Sequence, residues 1–339
     1  MTSARVRVLL IVGASRSGST LLDLVLGSSA GAVSLGEIHN IWRRGFEQNH
    51  LCGCGQHFDD CPFWTGARDV LGADHGVPVQ SILDLQRRVV RARRVPWIIA
   101  RCHSSTGASA PQRDYLDWTV DLYRAIVGTS GDRTIVDSSK RAVHGLLLAT
   151  RPDVDLTVVH LIRDSRAMAF SAARRRPKLD TGVTGEMMAR LTPSASAKGW
   201  VMGNILSEVL TRLNTKSVRV RYEDFVADPE AIASRILRLA GLPPLEAGLQ
   251  TENGQFSFPP SHTVSGNPIR MTVGPVLIRP DDEWCTAMPA TSRRLVTFLT
   301  SPLLVRYCYP LRIRRVPGAL QPTRLPPRGK HSSAARDSR

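Results

Sequence analysis

The chain has 339 residues, of which 42% are hydrophobic, and its formal net charge is +16. This length and apolar content exclude a disordered chain and allow one large α/β domain or two small domains. The positive charge favours anionic partners such as nucleotides, nucleic acid, acidic lipids or glycans.

The amino-terminal region predicts a strand, a turn and a helix. Residues 5–12 form a nearly continuous apolar run, and a turn rich in Gly and Ser follows at 13–20. Such a run is typical of a central parallel strand. It is too short for a signal peptide, and no segment reaches the roughly 20 apolar residues of a membrane-spanning helix. We therefore predict a cytoplasmic protein, and contact with an anionic membrane surface through basic residues stays open.

Further along the chain, predicted strands alternate with predicted helices. The helices are expected over residues 81–95, 112–128 and 196–213, and the strands over 134–136, 156–162 and 218–222. This alternation predicts an α/β fold with a P-loop-like central parallel sheet and helices on both faces, as a single domain over residues 1–316. The tail over residues 317–339 is basic and rich in Pro and Ser, and it is predicted to be disordered.

The turn after the first strand has the spacing of a phosphate-binding loop. Gly13 and Gly18 are separated as in the motif G-x-x-x-x-G-K-S/T, whose backbone N–H groups and following helix face an anion. Ser19 stands where that motif has Lys, which disfavours an ATPase or kinase. A cation, Arg16, lies inside the loop instead. The alternative is a plain strand–turn–helix connection.

The loop sequence resembles a particular family. Arg16-Ser17-Gly18-Ser19-Thr20 is similar to the 5′-phosphosulfate loop of sulfotransferases that use 3′-phosphoadenosine 5′-phosphosulfate (PAPS). Cytosolic members usually have Lys at the position of Arg16 and an aromatic residue after the Thr, where this chain has Leu21. Arg is found in the protein-tyrosine and carbohydrate sulfotransferases, so the chain resembles these and the bacterial members more than the cytosolic aryl branch.

A second segment is similar to the 3′-phosphate site of the same family. Arg163 follows the predicted strand 156–162, and Ser171 comes eight residues later on the next predicted helix. An Arg at the carboxyl end of a strand can donate two hydrogen bonds to a phosphate, and a hydroxyl two helical turns on lies on the same side. The alternative is an Arg capped by the neighbouring Asp164.

Three further matches follow from the resemblance, and each also has an ordinary structural interpretation. Tyr222, in Arg221-Tyr222-Glu223-Asp224, corresponds to a Tyr that lies against the adenine. Lys140 falls where the tyrosine sulfotransferases have a catalytic Lys. Asn267 and Arg270, in a segment followed by Trp284, resemble a loop that closes over the nucleotide in bacterial members. The resemblance covers residues 5–285.

The resemblance implies transfer of a sulfuryl group from PAPS to an acceptor hydroxyl on a glycan, glycolipid, peptide or small metabolite, with no metal required. This reaction needs a base for the hydroxyl proton and cations for the charge that develops on the departing phosphate. Arg16 and Lys140 are the predicted cations, and Glu37 is the predicted base. His39 is the rival base, and in an extended segment both side chains would point to the same face.

The six cysteines are too few for a disulfide framework in a chain of this length, and three of them cluster. Cys52, Cys54 and Cys61 with His50 or His57 can supply the ligands of a zinc ion. The spacing fits no standard zinc motif, and a redox-labile disulfide or a packed loop explains it equally well. No metal is therefore assigned to the predicted active site.

Three other classes of protein remain as alternatives. A P-loop kinase would require Mg²⁺ and a Lys in place of Ser19. A nucleic-acid-binding protein would interleave basic with aromatic residues, whereas the aromatic fraction is only 6%, so no nucleic-acid partner is expected. A nucleotide-binding module without catalysis is disfavoured because Arg16, Glu37 and Lys140 are all present.

Overall fold

The computed structural model describes residues 5–72, 76–102, 108–132, 134–175, 177–181, 186–245, 249, 255–272 and 274–312. The predicted disordered tail and its boundary lie outside these residues and stay a prediction. Among the described helices, none has the length and apolar content that a membrane crossing requires.

A parallel sheet of five strands forms the centre of the fold, as the sequence predicts. Its strands are β1 (Val6–Gly13), β2 (Ala32–Ser34), β3 (Thr134–Lys140), β4 (Val154–Ile162) and β5 (Ser217–Arg221). Their order across the sheet is β2-β3-β1-β4-β5, with every neighbouring pair parallel. The three-residue strand β2 was not predicted, because so short a segment has no recognisable periodicity.

Twelve α-helices and a small hairpin surround this sheet in the described part of the chain. The helices are α1 (Ser19–Leu26), α2 (Pro62–Gly72), α3 (Val79–Val89), α4 (Val95–Cys102), α5 (Ala110–Ser130), α6 (Ala142–Leu148), α7 (Ser165–Ala173), α8 (Pro193–Leu213), α9 (Tyr222–Ala227), α10 (Pro229–Ala240), α11 (Trp284–Ala287) and α12 (Ala290–Arg306). The hairpin pairs β6 (Gln255–Phe258) with β7 (Gly274–Leu277) in antiparallel register.

Helices cover both faces of the sheet, and side chains alternate along each strand, so each strand packs against helices on two sides. On β1, Leu9 and Ile11 belong to an apolar cluster with residues of α1 and α10. Val8, Leu10 and Val12 belong to a second cluster with residues of α5 and α6 on the opposite face. The central strand therefore has no solvent-facing side, which explains its nearly continuous apolar sequence.

Strand β3 is longer than predicted. The sequence pattern placed its end at Val136. In the structure the strand continues to Lys140, with a register shift against β1 beyond Leu10. The polar end of this strand is consequently part of the sheet edge where β1, β4 and β5 also end, the edge at which α/β sheets bind ligands.

Candidate active site

The loop between β1 and α1 has a backbone that only glycine permits at two positions. Gly13 has φ +143°, and a Cβ there would lie 2.3 Å from the carbonyl oxygen of Leu161. Gly18 has φ +90°, and a Cβ there would lie 2.4 Å from the ring of Tyr222. The two glycines thus let the loop turn tightly over β4 and let the Tyr222 ring pack directly on it.

The loop side chains occupy different environments. Ser19 and Thr20 are buried at the first turn of α1, and the Thr20 hydroxyl accepts a hydrogen bond from the Asn267 backbone N–H at 3.2 Å. Arg16 has a left-handed backbone, φ +68°, and its guanidinium lies 3.3 Å from the Met188 sulfur. Ser17 is buried, and its hydroxyl has no hydrogen-bond partner within the described ranges.

A cavity of about 660 Å³ opens at this edge of the sheet, and we call it the donor cavity. The predicted site residues that line it are Arg16, Gly18, Ser19, Thr20, Glu37, Lys140, Arg163, Ser171, Tyr222 and Asn267. Residues from six separate parts of the chain therefore meet around one space, and all of these parts except the one with Asn267 follow or end strands of the parallel sheet.

Two predicted site residues, Ser17 and Arg270, do not line the donor cavity. The Arg270 guanidinium is buried and donates to the backbone carbonyls of Thr263 and Leu51. These contacts join the loop over residues 263–270 to the loop that begins at residue 51. They favour a role for Arg270 in holding the cavity wall, and a direct nucleotide contact stays a prediction.

Arg163 is held at the end of β4 by three contacts. One terminal nitrogen donates to the Arg16 carbonyl at 3.1 Å and the other to the Asp281 carboxylate at 2.7 Å. The guanidinium also lies 4.5 Å from the centre of the Tyr222 ring. The neighbouring Asp164 is bound by Arg166 at 2.6 Å, and not by Arg163. The alternative interpretation of Arg163 as an Asp164-capped residue is therefore wrong, and its cationic group faces the cavity.

Glu37 and Lys140 form an ion pair on the cavity wall. The Lys140 Nζ lies 2.5 Å from one carboxylate oxygen of Glu37 and 3.2 Å from the Ser138 carbonyl oxygen. The second carboxylate oxygen accepts from the Asn40 side chain at 2.8 Å. Both charged groups are mostly buried, with exposed side-chain fractions of 20% for Glu37 and 10% for Lys140. Each is therefore held in one orientation without being sealed from the cavity.

His39 does not line the donor cavity, and its ring contacts Gln86 of α3 and His144 of α6. The segment is not extended: a 3₁₀ turn, Ile38–Asn40, follows Glu37 and separates the two side chains. The His39 Nδ1 lies 3.2 Å from the Gln86 side chain, and its ring is 5.6 Å from that of His144. Burial and the nearby His144 lower the pKa of His39 well below its ordinary value. The expectation of a shared face therefore fails, and the geometry favours Glu37 over His39.

A buried polar network behind the ion pair was not predicted. The Asp137 carboxylate accepts from the Tyr123 hydroxyl at 2.8 Å and from the Ser139 backbone N–H at 2.8 Å. The Ser139 hydroxyl in turn accepts from the His39 backbone N–H at 2.8 Å. Ser139 thus links the end of β3 to the turn after Glu37. This network positions the backbone on either side of Glu37 and Lys140.

The donor cavity also has lining residues that no motif indicated. Lys178 and Glu186 form an ion pair of 2.7 Å, and Met187 and Met188 follow directly on the cavity wall. Asp281 lines the cavity as the partner of Arg163. These residues belong to irregular segments, and sequence periodicity carries no signal for their position.

A second cavity, of about 400 Å³, adjoins the first and is called here the acceptor cavity. Arg16, Glu37 and Lys140 line both cavities. Most of the remaining lining is apolar: Met168 and Ala172 lie on α7, Trp200, Met202 and Leu206 lie on α8, and Leu191 lies just before α8. The ion pair consequently lies on a wall that a polar and an apolar space share.

Comparison with known proteins identifies the family. A profile described as "Sulfotransferase family" matches residues 9–246, and the chain therefore belongs to the sulfotransferase family. This confirms the family predicted from the loop at residues 16–20 and the segment from Arg163 to Ser171. No curated protein sequence is significantly similar to the chain.

A solved structure of low sequence identity has the same fold. The sulfotransferase domain from the curacin biosynthetic pathway is 16% identical, with a TM-score of 0.50. The alignment covers 91% of this chain and 100% of that domain. The sulfotransferase domain of the Synechococcus PCC 7002 olefin synthase is 19% identical, covering 92% and 98%, with a TM-score of 0.47. A sulfotransferase from Alicyclobacillus acidocaldarius is 13% identical, covering 90% and 94%, with a TM-score of 0.39.

Proposed function

We propose that this protein transfers the sulfuryl group of PAPS to an acceptor hydroxyl by in-line displacement. The observation that carries the proposal is the donor cavity, where the phosphate loop, Arg163 with Ser171, and the Glu37–Lys140 pair line one space. A kinase is not favoured, because Ser19 occupies the position of the lysine that would reach the terminal phosphates of ATP.

Each end of PAPS has a complementary set of groups in the donor cavity. The backbone N–H groups of residues 16–20 and the start of α1 suit the 5′-phosphosulfate. Arg163 and Ser171 suit the 3′-phosphate, which would replace the Asp281 carboxylate as a partner of the guanidinium. Tyr222, packed on Gly18, offers an aromatic face to the adenine.

The chemical step follows from the shared wall of the two cavities. The acceptor oxygen attacks sulfur, and Glu37 takes its proton as the new S–O bond forms. The bond between sulfur and the bridging phosphate oxygen breaks, and its electron pair leaves with 3′-phosphoadenosine 5′-phosphate. Lys140 and Arg16 stabilise the charge that develops on that oxygen. The 2.5 Å contact to Lys140 also keeps the Glu37 carboxylate oriented before an acceptor binds.

The nucleotide preference tests this proposal most directly. We expect 3′-phosphoadenosine 5′-phosphate without Mg²⁺ to raise the melting temperature more than Mg·ATP at equal concentration, because the ligand that binds the folded state more tightly stabilises it more. Thermal unfolding with each ligand checks this, and adenosine 5′-phosphate serves as the control that lacks only the 3′-phosphate. Equal or greater stabilisation by Mg·ATP would support the kinase instead.

The lining of the acceptor cavity supports an acceptor of a particular chemical class. Its lining is mostly apolar, and its rim includes Leu191 and Met202, whose side chains are 46% and 52% exposed. Exposed apolar side chains beside a concave site are typical of a surface that binds an apolar ligand. We infer an acceptor whose hydroxyl is attached to an apolar skeleton, such as a lipid or an apolar metabolite.

Filling the acceptor cavity should block the acceptor and spare the nucleotide. Gly199 lines this cavity on α8, and an added Cβ there would meet no atom within 4 Å. Gly199→Leu is expected to raise the acceptor KM by about tenfold or more, because the side chain occupies the acceptor's space. Transfer of labelled sulfate from PAPS into an organic-solvent extract of the source organism measures this.

Gly128→Leu is the matched control for this variant. Gly128 also lies in a long helix, α5, has no atom within 4 Å of an added Cβ, and lines neither cavity. Its activity should equal that of the unmodified protein. A fully active Gly199→Leu variant, or a labelled product found only in the aqueous fraction, would contradict an apolar acceptor in this cavity.

A further inference from the structure

Three cysteines and one histidine meet outside the two cavities. The sulfur atoms of Cys52, Cys54 and Cys61 and a ring nitrogen of His262 all lie within 4.8 Å of one another. The Cys54 and Cys61 sulfurs are 3.6 Å apart, and His262 Nδ1 lies 3.3 Å from Cys61 and 3.8 Å from Cys52. The sequence suggested His50 or His57 as the fourth ligand, but His262 occupies that place.

These three distances, 3.3–3.8 Å, are close to the edges of a tetrahedral zinc site. With Zn–S of about 2.3 Å and Zn–N of about 2.0–2.1 Å, tetrahedral ligands lie about 3.5–3.8 Å apart. A disulfide would instead require sulfurs about 2.05 Å apart, and all three cysteines are free thiols in the structure. We propose that Cys52, Cys54, Cys61 and His262 bind one zinc ion, with three thiolates and the Nδ1 atom as ligands.

A glycine, Gly53, allows the two loops that carry the ligands to lie in direct contact. The Gly53 N–H donates to the Thr263 carbonyl at 2.9 Å. A Cβ on Gly53 would lie 2.6 Å from the Ser261 carbonyl oxygen and from the Thr263 hydroxyl. The Cys-Gly-Cys spacing, tighter than a usual zinc motif, therefore lets the segment pass closely against residues 261–263 and places both sulfurs beside His262.

The groups around His262 hold its ring in place. Trp64 donates its indole N–H to the His262 carbonyl at 2.9 Å, and the Phe63 ring stacks on the imidazole with centroids 4.5 Å apart. Cys52 and Cys61 are fully buried, whereas Cys54 and His262 are partly exposed. Such a site is pre-oriented for a metal and accessible to it from one side.

The proposed zinc site would support the wall of the donor cavity. Its ligand His262 is followed by Ser265, whose carbonyl accepts from the Glu37 N–H at 3.1 Å, and by Asn267, which bonds to Thr20. All four ligands come from the protein, so no coordination position is open for catalysis. The ion would therefore fasten the loop over residues 261–267 to the loop over residues 51–61, a structural role that does not depend on the sulfuryl-transfer proposal.

Metal analysis of the full-length, untagged protein tests the proposal. Protein purified from zinc-supplemented cells should contain about one zinc per chain by elemental mass spectrometry. Cys61→Ser and His262→Gln should each lower this content at least about tenfold. Cys285→Ser, which removes a partly buried free thiol outside the cluster, should retain it. A zinc chelator should lower the melting temperature of the unmodified protein and of Cys285→Ser.

Cobalt titration tests for the tetrahedral metal site even if the cluster variants fail to fold. Co²⁺ added to the unmodified, metal-stripped protein should give the visible bands of a tetrahedral thiolate site, and zinc should abolish them. Folded protein with less than about a tenth of a zinc per chain and no such bands would overturn the proposal. So would a disulfide between two of the three cysteines in folded protein, detected by mass spectrometry after thiol alkylation.

Discussion

Glu37→Gln is expected to reduce turnover by about 10²–10⁴-fold and to leave nucleotide binding nearly unchanged. Glutamine keeps the size of the side chain and an oxygen that can accept from Lys140 or Asn40, the two present partners of Glu37. It cannot take a proton from the acceptor hydroxyl. Labelled sulfate transfer from PAPS measures turnover, and calorimetry with 3′-phosphoadenosine 5′-phosphate measures binding.

His39→Asn is the control that separates the two candidate bases. His39 lines neither cavity and bonds to Gln86, so its replacement should cost about tenfold or less in turnover. A small loss is expected because the His39 backbone contacts Ser139 near the ion pair. The opposite ranking, with nucleotide binding intact in both variants, would assign the base to His39 and align the protein with the cytosolic branch.

Arg163→Ala is expected to weaken binding of 3′-phosphoadenosine 5′-phosphate by about 2–4 kcal/mol, which corresponds to about 30- to 1,000-fold in Kd. Arg163 is 6% exposed, and its guanidinium is already oriented by the Arg16 carbonyl and the Tyr222 ring. A phosphate bound there would form charge-assisted hydrogen bonds largely shielded from water. Ser171→Ala removes one neutral donor and should cost about 1 kcal/mol. Calorimetric titration measures both variants.

The ligand without a 3′-phosphate distinguishes binding from folding in this experiment. With adenosine 5′-phosphosulfate, the effects of Arg163→Ala and Ser171→Ala should largely disappear. Arg174→Ala is a matched control, because Arg174 lies just after α7 and pairs with Glu283 at 2.7 Å on the surface. It should bind both ligands as the unmodified protein does. Equal weakening of both ligands by Arg163→Ala would show that Arg163 maintains the fold and does not recognise the 3′-phosphate.

Several features of this protein follow from short segments of sequence. The strand, turn and helix over residues 6–26 depend on local sequence only. An apolar run, two glycines and helical spacing determine them within about 20 residues. The same holds for β4 and α7, which bring Arg163 and Ser171 to one side. A parallel sheet then places both segments at one edge, so most of the donor cavity could be predicted.

Only the tertiary structure decided which side chains face the cavities and which distant segments meet. Glu37 and His39 diverge because the chain enters a 3₁₀ turn stabilised by contacts with Ser139 and Ser265. His262 joins cysteines about two hundred positions earlier because Gly53 allows two loops to touch. Neither arrangement has a periodic or local signal, since both depend on packing between segments far apart in sequence. Local propensity determines the elements, and burial and hydrogen bonding between them determine the site.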